Sequence, residues 1–475
     1  MKRLALWCVA ISVMLSLAGC GGAVPTDSKV TTAPTAETGF RVGFGRAKVT
    51  PQESVPMSGY EDSSRRMSTG LYTELYVNVL AVDDGENTLL LMTIDHSWFH
   101  RNLADPIRKA LLEDYGIPEE YVLMNGTHTH GAPDAGNTSQ PTQVRDNKRV
   151  QQLSLEAVEQ ALNDLKPAKI YVGSVMTEKM NFVRRYYMDD GSFTGDNYPG
   201  TGTTCVSHES EADGQMQLMK FVREGGKDIL IANFQAHPHL EGKSNSISAQ
   251  NVGAFRDAVE QKLDVYSIYW QGASGNLNSS SYIAGETVYK TRNEYGEALA
   301  SYAASAYDSM TEVASGLVKV LHYDAECEVN HAYDHISAEA TMVWKYFNEH
   351  NDAAGAMALA ESGLIHSVYH ANRIQGNAEL GDTKDIPLAA FSFGDVSGVV
   401  VPYEMFDTNG MQIKEQTPFA MTFIFGYANP GYYGYIPSAA AWENGGYEVD
   451  NCTYVGGTGD KLAQDYLNLL AELKK

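Results

Sequence analysis

Cysteine is scarce in this chain, with five in 475 residues, and two of those, Cys8 and Cys20, fall in the first twenty positions. Beyond them stand only Cys205, Cys327 and Cys452, which permit at most one intramolecular disulfide if Cys20 is engaged otherwise, so a disulfide scaffold is excluded. No Cys-x-x-Cys pair and no cysteine–histidine cluster is present, which argues against a cysteine-type structural zinc site. Basic residues are also few, 35 Lys and Arg against 59 Asp and Glu, for a formal net charge of −24. That balance argues against nucleic acid, which needs a basic surface, and against a polybasic hold on anionic lipid. Acidity by itself speaks for solubility. Residues 38–475 contain no internal repeat and no Ser- or Pro-rich linker, so they are expected to form one domain resting on its hydrophobic core.

The N-terminus begins Met1-Lys2-Arg3, runs through apolar residues 4–17 and closes on Leu17-Ala18-Gly19-Cys20. These are the basic, apolar and small-residue regions of an export signal. The terminal cysteine resembles a bacterial lipobox, which implies cleavage after residue 19 and acylation of Cys20. Such a chain is anchored to a membrane without spanning it. The expectation is therefore a lipoprotein signal over 1–19, an acylated cysteine with a Gly/Ser/Thr/Pro/Ala-rich tether over 20–37, and an exported domain held at a cell-surface or periplasmic membrane face.

Apolar runs at 77–82 and 88–95, separated by Asp83-Asp84-Gly85-Glu86-Asn87, predict a hairpin. A helix over 103–112, closed by Gly116 and Pro118, leads to a short buried strand at 121–124. Helical spacing from Val150 to Leu165 stops near Pro167, and a strand follows at 170–172. Strands at 228–234 and 265–270 alternate with helices at 252–263 and 294–310. A helical section over 337–374 precedes strands at 387–393, 398–401 and 418–425, and a last helix covers 461–473. The class expected is α/β, with mixed sheets flanked by helices.

The densest polar cluster, Asn125-Gly126-Thr127-His128-Thr129-His130-Gly131-Ala132-Pro133-Asp134, directly follows the buried strand ending at Met124. Histidines at i and i+2 in extended backbone face one side, so one can hold a metal while its neighbour handles protons. Asn233-Phe234-Gln235-Ala236-His237-Pro238-His239 also follows an apolar strand and also ends in a histidine pair. Two such clusters are consistent with one shared metal site, and equally with histidines satisfied inside the fold. Glu404 reads either as a ligand or as an ordinary strand-end carboxylate, and the segment 427–435 either as functional tyrosines or as aromatic core.

Several motifs in order resemble the neutral/alkaline ceramidase family. The opening Gly43-Phe44-Gly45-Arg46-Ala47-Lys48-Val49-Thr50-Pro51 and Met57-Ser58-Gly59-Tyr60 are similar to the start of its catalytic domain. Thr127-His128-Thr129-His130-Gly131 and Ala236-His237-Pro238 are similar to its two histidine motifs, Val401-Pro402-Tyr403-Glu404-Met405-Phe406 to its glutamate segment, and Gly434-Tyr435-Ile436-Pro437 to its tyrosine segment. The resemblance runs from about residue 39 to 447. It implies a single ceramidase-like catalytic domain and a zinc ion bound by His128, His237, Glu404 and Tyr435. It further implies His130 beside the metal as acid/base, Arg184 and Tyr447 facing substrate or the oxyanion, and hydrolysis of an amide in an N-acylated lipid or amine by a zinc-activated water.

Three departures accompany it. Within Gln271-Gly272-Ala273-Ser274-Gly275-Asn276-Leu277-Asn278-Ser279, Asn278 takes the position of the family's catalytic serine; an asparagine can orient a carbonyl but cannot serve as nucleophile. Tyr403 replaces a glycine beside Glu404. The family's C-terminal immunoglobulin-like domain is not expected in the sequence. Competing expectations are a zinc esterase or phosphoesterase on the same scaffold, and a surface lipoprotein that captures a ligand without turning it over.

Overall fold

The computed structural model describes residues 39–60, 63–195, 202–429 and 431–475. The expected signal, Cys20 and tether lie outside the described residues. The strands that build the core are β1 (Arg41–Lys48), β2 (Tyr76–Asp83), β3 (Thr88–Ile94), β4 (Val122–Gly126), β5 (Lys166–Met176), β6 (Gln215–Arg223), β7 (Ile229–Phe234) and β8 (Tyr266–Gln271). They continue with β9 (Thr311–Val313), β10 (Val318–Glu328), β11 (Thr383–Phe393), β12 (Val396–Val401) and β13 (Met421–Gly426). The principal helices are α1 (Arg101–Tyr115), α2 (Pro141–Asn163), α3 (Gln250–Leu263), α4 (Arg292–Ala306), α5 (Ser337–His350), α6 (Val368–Asn377), the single-turn α7 (Tyr447–Asp450) and α8 (Thr458–Leu473).

The larger sheet runs β8-β7-β6-β5-β1-β2-β3-β4, with β9 added beside β5, and the smaller runs β10-β11-β12-β13. Most neighbours are antiparallel, but β3 and β4, β7 and β8, and β12 and β13 are parallel pairs. One face of the large sheet packs on the small one: Leu80, Leu91, Ile231 and Trp270 share a buried cluster with Phe391, Phe423 and Phe425. Trp270 meets Phe425 edge-on at 5.1 Å, a geometry that the ring quadrupoles favour. The other face of the large sheet carries α1 and α2 at one end and α3 and α4 at the other. Helix α8 covers the outer face of the small sheet through Leu462, Tyr466 and Leu470. The result is four layers, helix, sheet, sheet, helix, each burying one apolar face.

The hairpin over 77–95 forms as expected, and α1 is closed by Gly116 in left-handed backbone, its N–H capping Leu111 and Leu112. Helix α2 begins earlier than the apolar spacing from Val150 suggested, because Pro141 occupies its first turn, where no N–H is needed. Pro167 falls inside β5, opposite Arg41 at the end of β1. The opening Gly43-Phe44-Gly45 motif is itself strand β1. Its glycines let α2 lie directly on the strand: a Cβ at Gly43 would stand 1.9 Å from the Ala161 carbonyl oxygen, and one at Gly45 1.9 Å from that of Ala157.

Candidate metal centre and active site

The three parallel strand pairs end toward one place. The chain leaves β3 into His96-Ser97 and β4 into Thr127-His128, leaves β7 into Gln235-Ala236-His237 and β8 into the Gly272–Asn278 loop, and leaves β12 toward Glu404 and β13 into Tyr427. Crevices at the carboxyl ends of parallel strands are where α/β folds bind ligands, since the chain turns there without obstructing the space beyond.

His128 adopts left-handed backbone, φ 63°, a conformation that costs a residue with a side chain about 1 kcal/mol or more. Its N–H donates to the His96 carbonyl at 2.9 Å and its Nδ1 lies 2.9 Å from the Ser97 carbonyl. Tyr427, also left-handed at φ 54°, stacks its ring on His128 at 3.8 Å. His237 is fixed in the same manner, Nδ1 lying 2.9 Å from the Ser274 carbonyl and 3.1 Å from that of Leu277. With both Nδ1 atoms committed as donors, both Nε2 atoms present lone pairs, and these face each other across 3.1 Å. Glu404 adds Oε2 at 3.2 Å from His237 Nε2 and 3.8 Å from His128 Nε2, with its side chain 2 % exposed. Lone pairs and a buried carboxylate converging in this way repel unless positive charge lies between them. Burial keeps the proton off His128, pulling its pKa down to about 3 against the attraction of Glu404. Two neutral imidazoles and a carboxylate, oriented by backbone carbonyls, fit a divalent cation of the zinc type.

His130 Nε2 lies 3.4 Å from His128 Nε2, and the ligand atoms of His128, His130 and His237 all fall within 4.8 Å of one another. The His130 N–H donates to Gln250 Oε1 at 2.9 Å, and Arg66 Nη2 donates to its carbonyl at 2.9 Å. Burial holds its pKa well below the usual histidine value. Gly59, at φ 98°, explains the Met57-Ser58-Gly59-Tyr60 motif: a Cβ there would sit 2.4 Å from His130 Cγ.

Tyr435 pairs in register with Glu404 on a short parallel bridge, Glu404–Met405 with Tyr435–Ile436. The phenols that hydrogen-bond to Glu404 are two others, Tyr432 to Oε1 at 2.5 Å and Tyr427 to Oε2 at 3.4 Å. Burial, and then the Glu404 charge, raise the pKa values of all three tyrosines well above the ordinary range, which keeps Tyr432 and Tyr427 neutral as donors to Glu404. Trp98 stacks on Tyr432 at 4.9 Å.

Arg184 lies over the Tyr435 ring at 5.3 Å, and the Tyr447 ring lies 5.6 Å from that of Tyr435. Arg184 Nε donates to Glu448 Oε1 at 2.9 Å and Nη1 to Asn278 Oδ1 at 3.3 Å. Asn278 is bridged to His237 and pairs with Phe182. The eight side chains singled out from the sequence therefore form two neighbouring groups: His128, His130, His237 and Glu404 at the centre, and Tyr435, Arg184, Tyr447 and Asn278 linked in an adjoining network. Sequence reading left Tyr427 and Tyr432 undistinguished within the segment 427–435 and passed over Glu448. The clue to the last was its place beside Tyr447, opposite two consecutive arginines.

Residues 40–275 match the family model of neutral/alkaline non-lysosomal ceramidase, N-terminal. Neutral ceramidases of Drosophila melanogaster and Drosophila pseudoobscura pseudoobscura are each 30 % identical to the chain over 98 residues, which is 20 % of this chain and 14 % of each fly protein. The fold matches the crystal structure of neutral ceramidase from Pseudomonas aeruginosa with a TM-score of 0.67 at 18 % identity, covering 92 % of this chain and 74 % of that one. It likewise matches a ceramidase complexed with C2, TM-score 0.68 at 17 % identity, over 92 % and 75 % of the two chains. Through residues 40–275, the chain belongs to the neutral/alkaline non-lysosomal ceramidase family, in its N-terminal domain.

Proposed function

We propose that this chain is a zinc-dependent amidohydrolase that cleaves the amide bond of an N-acylated lipid or amine, with the metal held by His128, His237, Glu404 and Tyr435. The observation that carries the reading is the pair of imidazole Nε2 atoms facing each other at 3.1 Å, with Glu404 beside them and each Nδ1 tied to backbone carbonyls. Family membership and fold support the hydrolase class. When bound, zinc supplies a water nucleophile at neutral pH and polarises a carbonyl.

The chain's own residues do the rest. Tyr432 and Tyr427 hold the two Glu404 oxygens and so fix the direction of the carboxylate. An amide leaves as a poor leaving group, so the amine needs a proton as the C–N bond breaks. His130 is placed to take the proton from the attacking water and return it to that nitrogen, a role worth about 10²–10⁴-fold. Arg184 and Tyr447 provide positive charge and a phenol for the developing oxyanion. Asn278 has no hydroxyl to attack with, and its carboxamide oxygen holds the Arg184 guanidinium instead. Export and acylation at Cys20 would bring the domain to a membrane where N-acyl lipids reside. A Cys20→Ala variant of the full chain is then expected in the soluble fraction, and its retention in membranes would refute the anchor.

The test of function is turnover of a panel of N-acyl sphingoid bases and simpler N-acyl amines by purified protein, with and without chelator. Hydrolysis abolished by chelator and restored by zinc is expected. Hydrolysis indifferent to thorough metal removal would refute the mechanism, and zinc-loaded protein inert on every amide would refute the activity.

A further inference from the structure

A second set of ligating side chains lies at the other end of α7. His366, just before α6, places Nδ1 2.9 Å from Asp450 Oδ1, and His370, in the first turn of α6, places Nδ1 3.9 Å from the same oxygen. The two imidazoles stack at 4.7 Å, and the three ligand atoms lie within 4.8 Å of one another. His370 and Asp450 are buried, whereas the His366 side chain is half exposed. All three line a cavity of about 250 Å³ whose wall also carries Asp334, Glu443 and Arg373, so its lining holds more negative than positive charge.

Plain hydrogen bonding accounts for one of these contacts and not the other. His366 can donate Nδ1–H to Asp450. His370 cannot, because its Nδ1 accepts the backbone N–H of His366 at 3.3 Å and is therefore the unprotonated nitrogen. At 3.3 Å that bond is long, so a cation between His370 Nδ1 and the Asp450 oxygen 3.9 Å away would take the place of the N–H and draw the two acceptors together. Donors around a tetrahedral zinc with bonds of about 2.0–2.1 Å stand roughly 3.3 Å apart; the observed separations of 2.9 and 3.9 Å bracket that value. Two imidazoles and one carboxylate, with open cavity on the remaining side, form a donor set suited to zinc and its transition-metal neighbours.

We infer that His366, His370 and Asp450 form a second divalent transition-metal site, which clamps α7 to α6. Because α7 begins with Tyr447 and Glu448, that clamp fixes the backbone from which the Arg184 network is held. The inference is independent of the centre at His128.

The full chain, stripped of metal and dialysed against zinc chloride, tests this by elemental analysis. Two equivalents are expected in the natural chain, and one in each of His366→Ala, His370→Ala and Asp450→Asn. His128→Ala is expected to retain one, and that remaining equivalent, read as a zinc-dependent rise in Tm, is expected to vanish when His366→Ala is added. His366 is half exposed, so its replacement leaves a folded protein, verified by near-UV circular dichroism. Equal zinc content in the natural chain and His366→Ala would overturn the inference. Loss of one equivalent in His366→Ala together with unchanged content in His128→Ala would support this site while refuting the other.

Discussion

Replacing Glu448 by glutamine removes one charge from the most deeply buried ion cluster in the described residues. Its Oε1 accepts from Arg184 Nε at 2.9 Å and its Oε2 from Arg185 Nη1 at 3.0 Å, and all three side chains are at most 1 % exposed. Arg185 keeps Glu209, whose oxygens lie 2.7 and 3.0 Å from its Nε and Nη2, while Arg184 keeps the Asn278 Oδ1 contact at 3.3 Å but loses the Glu448 charge. The amide is nearly isosteric, so no cavity is created and the change isolates charge. Breaking a buried pair from one side costs about 3–5 kcal/mol, because the surviving charge loses its counter-charge without regaining water. Denaturant unfolding, compared at equal m, reads this as a lowered midpoint. Glu53→Gln, which breaks an exposed pair with Arg145, serves as the control and is expected to leave the midpoint unmoved. A Glu448→Gln loss below about 1 kcal/mol would refute the claim that this carboxylate neutralises the two arginines.

Tyr432→Phe removes the 2.5 Å bond to Glu404 Oε1 and is expected to weaken zinc affinity about 10–100-fold with little change in fold, measured by competition with a chromophoric chelator; unchanged affinity would show that Glu404 is fixed without it. Asp407 is raised to about 6 by burial, despite hydrogen bonds from Asn276, Asp213 and Thr408. A carboxyl raised on folding lends stability that is full below its unfolded pKa near 4 and is lost as pH rises through about 6, a span of roughly 3 kcal/mol. The stability difference between the natural chain and Asp407→Asn is therefore expected to shift in favour of the variant from pH 4 to 7, and a pH-independent difference would refute the assignment. Gly45→Ala forces a Cβ against the Ala157 carbonyl and is expected to cost about 1–3 kcal/mol in thermal or denaturant unfolding, while unchanged stability would mean that α2 can move off the strand.

Much of the architecture was legible because its strands are continuous apolar runs buried on both faces. Strands β3 and β7 and most of β12 read directly from the runs at 88–95, 228–234 and 398–401 for that reason. Strand β1 hid behind its glycines, whose presence serves the approach of α2 and lowers the apparent strand signal. Strand β10 hid because it borders the small sheet and alternates with exposed charge, as in Asp324 and Glu326. The histidines of the centre were legible since each directly follows a buried strand, where the chain must leave the sheet. Glu404 was ambiguous alone, and family resemblance singled it out. Tyr432 and Glu448 were not legible, because their importance lies in partners 28 and 264 residues away. No local pattern records such a contact.

X-ray absorption at the zinc edge of loaded His366→Ala protein, in which only the centre between the sheets' strand ends can bind tightly, tests the central claim most directly. The account predicts a first shell of nitrogen and oxygen at about 2.0–2.1 Å, with imidazole scattering from two rings that falls to one in a second variant also carrying His237→Ala. A shell without imidazole, or one unaltered by His237→Ala, would contradict it.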